Sequence, residues 1–152
     1  MMYWIFKSEP DVFSIDDLEK KKIEPWNGCR NYQVRNFMRD EMKKGDGVLF
    51  YHSSCPVPGV AGVATIEKEA YPDSTALDKK SEYFDPKSDP KNPRWLMVDV
   101  KFEEKFPRTL ELAALREEPK LADLLILRKG NRLSITPVTA AEFNLIRKLG
   151  RA

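Results

Sequence analysis

At 152 residues the chain is long enough to bury a hydrophobic core without disulfide staples, and it is expected to form one domain over residues 1–152. Its 26 basic and 24 acidic residues leave a formal charge of +2, so affinity for nucleic acid has to come from a local basic face and not from a polycationic chain. Two cysteines without CxxC spacing and a single histidine exclude a disulfide framework and a zinc set, and no cofactor or metal is expected.

Tyr3 to Lys7 alternates aromatic and aliphatic groups without a helical stripe and predicts a strand that ends in the turn Ser8-Glu9-Pro10-Asp11. This apolar run is far too short for a signal peptide or a membrane span. A reducing compartment follows from the cysteine usage: the cytoplasm, or the nucleus if the source has one. Ser14 is a natural N-cap for a short helix with carboxylates in its first turn, and the run Lys20, Lys21 and Lys22 complements the negative end of that helix.

Trp26-Asn27-Gly28-Cys29-Arg30-Asn31-Tyr32-Gln33-Val34-Arg35-Asn36 then gathers an indole, a glycine, two arginines and several planar amides. An aromatic plate beside planar polar groups suits a flat heterocycle with hydrogen-bonding edges, and nucleobases held outside a duplex are read in that way. The stretch is expected to begin as a loop and become a helix near Asn31, with Val34, Phe37, Met38 and Met42 on the buried stripe. Arg30, Arg35 and Arg39 fall on or near the other side. Trp26 on these grounds alone is either a core plug or a binding residue in a loop.

Val48 to Tyr51 reads as an apolar strand carrying His52, Ser53 and Ser54 at its end, and Gly59 to Ile66 as the return strand. Tyr71 to Pro93 holds four prolines and is long for a structureless connection, which marks it as a functional or mobile loop. Trp95 to Phe102 predicts a strand, Thr109 to Arg116 and Lys120 to Leu127 predict short helices, and Leu133 to Val138 predicts another strand. Thr139-Ala140-Ala141-Glu142 is a capping box opening a last helix, closed by Gly150. Strict βαβ alternation is absent. The order predicts an α+β fold: a small mixed or antiparallel β-barrel flanked by α-helices.

Five separated motifs, in order, carry a resemblance: Tyr3 to Pro10, Trp26 to Asn36, Phe50 to Ser53, Tyr71-Pro72-Asp73 and Arg132 to Val138. Together they resemble the EVE domain family over nearly the whole chain. The resemblance implies a PUA-like β-barrel flanked by helices, a relationship to YTH domains, and the reading of modified bases in DNA or RNA. By motif position it implies that Trp26 forms one wall of a base pocket, with Lys7 and Ser8 at its rim and His52 with Ser53 at the polar strand end opposite. Cys29 stands where the family usually has valine and Val34 where it usually has alanine; both lean toward packing.

The remaining candidates divide by chemistry. Arg30 is a candidate for phosphate or rim contact, Arg35 lies nearer the rim, and Asn31 either reads a base edge or caps the helix. Trp95 either packs in the sheet or supplies a second cage wall. Tyr83 or Phe84 could close over a base, and Arg94 could meet phosphate. Arg132 and Ser134 either line the mouth or start a strand. The resulting expectation is a non-catalytic reader of a modified base, with nucleic acid as partner, no membrane, and a monomer assumed. The alternatives are a base- or nucleoside-processing hydrolase using His52 with Ser53 or Cys55, and a small-molecule or protein-binding module.

Overall fold

The computed structural model describes residues 1–91 and 93–152; within the irregular Tyr71–Pro93 segment, Asn92 lies outside the described residues. The chain runs β1 (Tyr3–Ser8), α1 (Ile15–Lys21), β2 (Ile23–Pro25), α2 (Tyr32–Asp40), β3 (Gly47–His52), β4 (Gly59–Pro72), β5 (Leu96–Glu111), α3 (Leu112–Glu117), β6 (Ile135–Val138) and α4 (Ala140–Arg151). The strands form one six-stranded sheet in the order β2-β5-β4-β3-β1-β6. β1 and β3 are parallel, in a register from Tyr3 opposite Gly47 to Ser8 opposite His52. Neighbouring pairs elsewhere are antiparallel.

β1 and β3 look continuously apolar because both of their faces are covered. Trp4, Phe6, Val48 and Phe50 join a core with Ile15 and Leu18 of α1 and Val34 and Met38 of α2. Ile5, Leu49 and Tyr51 join a second core with Leu115 of α3 and Phe143 and Ile146 of α4. The helices therefore sit in two layers, one on each face of the sheet. Trp4 is fully buried, and its indole N–H donates to the buried Asp46 carboxylate at 3.2 Å.

The expected barrel is not there. The sheet stays open, and among the described residues no pairing joins its edge strands β2 and β6. Closure needs a continuous ladder around the ring. Here β2 is three residues long and ends at Pro25, while β6 is four residues long and contains Pro137, which has no N–H to offer a ladder. Such short, proline-bearing strands are suited to edges. Register shifts interrupt the long β4–β5 ribbon at four places, the kind of irregularity that bends and twists strands without closing the sheet.

Three local expectations also change. The helix foreseen from Thr109 begins only at Leu112, because Leu110 and Glu111 are still paired with Val60 and Gly59. Lys120 to Leu127 forms two separate 3-10 turns, Pro119–Leu121 and Leu125–Leu127. Gly150 does not stop the last helix, which runs on to Arg151. A Cβ at Gly150 would lie 2.1 Å from the Phe106 ring, so glycine there lets that ring approach the helix backbone. The cap predicted at Thr139 forms a full capping box with Glu142, and Ser14 forms one with Asp17.

Candidate functional site

The ends of β1 and β2 meet the turn before α1 and frame a cleft of about 380 Å³, lined by Lys7, Ser8, Glu9, Val12, Phe13, Glu24, Pro25, Trp26, Asn27 and Tyr83. Trp26 is placed by backbone first: its N–H donates to Val98 O at 2.7 Å, extending the β2 ladder by one residue. Its ring is then gripped by three others. Phe6, Phe13 and Phe50 meet it at centroid distances of 5.4, 6.2 and 5.7 Å, at interplanar angles of 63°, 80° and 88°. Edge contacts of this kind fix a ring's orientation. The indole N–H of Trp4 is bound to Asp46 and that of Trp95 to Asp85, whereas that of Trp26 has no partner among the described residues.

Past Trp26 the loop is held by a buried carboxylate. Gly28 turns with φ +82°, and its N–H donates to Asp73 Oδ2 at 2.8 Å. A side chain at Gly28 would also strike Tyr83, whose ring carbons lie 2.7–2.9 Å from the position of a Cβ. Asp73 is 1% exposed and further accepts from the Thr75 N–H, the Thr75 hydroxyl and Arg30. Burial alone would raise its carboxyl. The hydrogen bonds from Thr75, Gly28 and Arg30 outweigh that and hold it below the ordinary carboxylate range.

Arg30 departs from the phosphate role expected of it. Its Nη1 donates to Cys29 O and Asp73, its Nη2 to Tyr83 O and Thr75 Oγ1, and its Nε to Tyr83 O. All five guanidinium donors are thus spent within the protein, so Arg30 ties the 73–83 segment to the Trp26 loop. Arg35 is similarly engaged with Asn36 and Arg94 O and sits over the Tyr32 ring at 4.8 Å. Asn31 takes the capping role: the Val34 N–H donates to its Oδ1 at 3.1 Å, and it does not line the cleft.

Of the other candidates, Lys7 and Ser8 do reach the cleft with Trp26. The Ser8 hydroxyl donates to Phe13 O at 2.5 Å and so positions the Phe13 wall. Burial lowers the Lys7 ammonium from its usual value. Ser53 pairs by its N–H with Ser8 O, and His52 lies opposite Ser8 in the sheet, yet neither lines the cleft.

His52 Nε2 instead accepts the Ile15 N–H at 3.1 Å, at the start of α1. That bond requires neutral imidazole, and burial lowers the His52 pKa accordingly. A histidine depressed on folding contributes stability that is complete above its unfolded pKa of about 6.5 and is lost as pH falls through the lowered folded value. Melting temperature is therefore expected to drop between pH 7.5 and pH 5.5, and to drop less in His52→Gln, whose carbonyl can accept the same N–H without titrating. An unchanged pH dependence in the variant would contradict this role.

Trp95 is 6% exposed, stacks on Tyr32 at 4.8 Å, and donates its indole N–H to Asp85 at 2.7 Å. It is no second wall for Trp26; it faces a separate hollow of about 250 Å³ with Arg30, Glu82, Tyr83, Phe84 and Asp85. Arg94 leans toward Asp85 at 3.7 Å. Ser134 accepts the Lys7 N–H through its carbonyl and meets the half-buried Cys29 thiol, whose pKa desolvation pushes up to about 11. Arg132 is exposed and outside the cleft lining.

Phe13 and Asn27 line the cleft and Asp73 holds its loop, and none of the three was among the expected pocket residues; Tyr83, expected only as a residue that could close over a base, lines it too. Asn27 and Asp73 stand inside quoted motifs, so a signal was present; Tyr83 is placed only by its tertiary contact with Gly28. Among the described residues no group of three or more His, Cys, Asp and Glu is arranged to hold a metal, and no helix is long and apolar enough to cross a membrane.

An open six-stranded sheet with helices on both faces and an aromatic cleft at the strand ends defines the class. The EVE domain family profile matches residues 2–149. Thymocyte nuclear protein 1 of Danio rerio is 42% identical over 165 residues, covering 96% of this chain and 71% of that protein. A hypothetical protein from Leishmania major superposes with a TM-score of 0.93 at 49% identity, covering 99% of this chain and 94% of that one. The human THYN1 protein in complex with 5-methylcytosine containing DNA superposes with a TM-score of 0.91 at 40% identity, covering 100% of this chain and 99% of that one. The chain belongs to the EVE domain family.

Proposed function

We propose that this chain is a non-catalytic reader that takes one modified nucleobase, in DNA or RNA, into the cleft beside Trp26. The observation that carries the reading is the state of that indole: three aromatic rings fix it, while its N–H has no partner among the described residues. The cleft volume, about 380 Å³, falls at the small end of ligand sites, which run from about 300 to 1,000 Å³. The similar human protein is described with 5-methylcytosine containing DNA, which makes a methylated cytosine the first ligand to try.

In this reading the base stacks on Trp26, and Asn27 offers both a donor and an acceptor to its edge. Glu9 and Glu24 add acceptors of the kind that suit the exocyclic amine of cytosine. Val12, Pro25 and Phe13 supply the apolar surface a methyl group needs. Extruding a base from a duplex costs a few kcal/mol, so single-stranded or locally opened nucleic acid is the preferred partner. The protein would act where that nucleic acid is: the cytoplasm, or the nucleus in a nucleated source.

Hydrolysis through His52 has no support, since its Nε2 lone pair is occupied by the Ile15 N–H. Phosphate contact passes from Arg30 to lysines at the cleft. Lys7 lines it, and Lys21 stands 5.8 Å from the Phe13 ring centroid and bridges to Glu24 at 2.9 Å. For single-stranded ligand each phosphate contact adds about 0.7 to the slope of log affinity against log salt. Lys7→Gln with Lys21→Gln is expected to flatten that slope by about 1.4. A slope that stays the same would remove these lysines from the interface. Binding of a modified nucleoside with no salt-dependent binding of any oligonucleotide would favour a small-molecule module instead.

A further inference from the structure

We infer that the hollow beside Trp95 holds the base adjacent to the modified one, so that the protein reads a two-base step. The inference rests on the reading proposed for the Trp26 cleft. Tyr83 lines both cavities, so two consecutive bases, one in each, would share one aromatic residue packed against Gly28. Side chains placed between consecutive bases in this way are a recurrent means of holding a step unstacked.

The hollow has the character of a base site and not of a phosphate site. The Arg30 guanidinium lies 5.7 Å from the Tyr83 ring centroid and 5.5 Å from that of Trp95. With every donor already bound to the protein, it has nothing to offer phosphate, but its plane remains part of the wall. Aromatic rings and arginine planes are the surfaces on which unpaired bases stack. Apart from the Tyr83 hydroxyl, the polar side chains that remain on the lining are the carboxylates of Asp85 and Glu82. Asp85 takes the Trp95 indole N–H at 2.7 Å and the Lys87 N–H at 2.9 Å, which fixes its carboxylate, and Glu82 is exposed at the rim. Two carboxylates repel a phosphate and accept from an exocyclic amine. Adenine, cytosine and guanine carry such an amine; thymine and uracil do not.

The test uses the full chain and short single-stranded DNA with one 5-methylcytosine, its neighbour on each side varied over the four bases, with affinity read by fluorescence anisotropy. On one side, amine-bearing neighbours should bind about fivefold or more tightly than thymine. Phe84→Ala and Glu82→Ala, the latter at an exposed position, should each flatten that preference and leave binding of free 5-methyl-2′-deoxycytidine unchanged. Equal affinity for all neighbours, or a preference that survives both variants, overturns the inference. Nucleoside binding that depends on Trp26 while the neighbour profile stays flat sinks this inference alone. Nucleoside binding indifferent to Trp26→Ala, or no binding at all, sinks the cleft reading together with it.

Discussion

Asp73→Ala is expected to lower stability by about 3 kcal/mol, the lower end of the range for removing one member of a buried charged pair. The lower end applies because the Arg30 side chain keeps 24% exposure and can recover some hydration. For a chain of this length that corresponds to a fall of about 6–12 °C in melting temperature. The loss has several parts: Arg30 and the Gly28 N–H each lose an acceptor, and the two segments pinned at Asp73 come apart. Asp73→Asn, which keeps the volume and one acceptor oxygen, should recover part of the loss. Thermal denaturation at neutral pH measures both. A fall of only one or two degrees in Asp73→Ala would mean that the carboxylate does not hold the loop.

Trp26→Ala is expected to weaken binding of a 5-methylcytosine oligonucleotide by about 5- to 150-fold, the equivalent of the 1–3 kcal/mol that stacking on one ring contributes. The ring is half-buried and touches Phe6, Phe13 and Phe50, so some stability is lost as well. Trp26→Phe separates the two effects: it keeps an aromatic face and much of the packing but removes the indole N–H. Intermediate binding in that variant assigns part of the affinity to stacking and part to the hydrogen bond. Wild-type affinity in a folded Trp26→Ala protein would place the ligand elsewhere.

How far the sequence reached depended on how local each determinant was. The strand read over Tyr3 to Lys7, which runs one residue further to Ser8, the stripe of Val34, Phe37, Met38 and Met42, of which Phe37 is only partly buried, and the caps at Ser14 and Thr139 follow from residues a few positions apart; for Asn31 the sequence left capping and base reading open, and it caps. The extension of β5 to Glu111 was not legible, because it depends on a ladder with Gly59 and Val60 some fifty residues earlier. The open sheet was equally hidden, since pairing partners of edge strands leave no local pattern. At the cleft, Trp26 was picked out by the chemistry of its stretch and Lys7 with Ser8 only by the family resemblance; all three line it. Arg30 could not: an arginine beside a binding loop looks the same whether its donors face solvent or the Tyr83 carbonyl, 53 residues away. His52 was misplaced for the same reason, its partner being the Ile15 N–H across the fold.

The most direct measurement of the central claim is a proton–nitrogen NMR titration of the three indole N–H signals with a short oligonucleotide carrying one 5-methylcytosine, Trp26 being assigned from Trp26→Phe. Trp4 is buried and already bound to Asp46, so its signal should move little, while Trp95, a wall of the second hollow, reports on the neighbouring base instead. The Trp26 signal should shift strongly and saturate with the binding curve, and an unmodified oligonucleotide should move it less. Saturable binding that leaves the Trp26 indole signal in place would contradict the account.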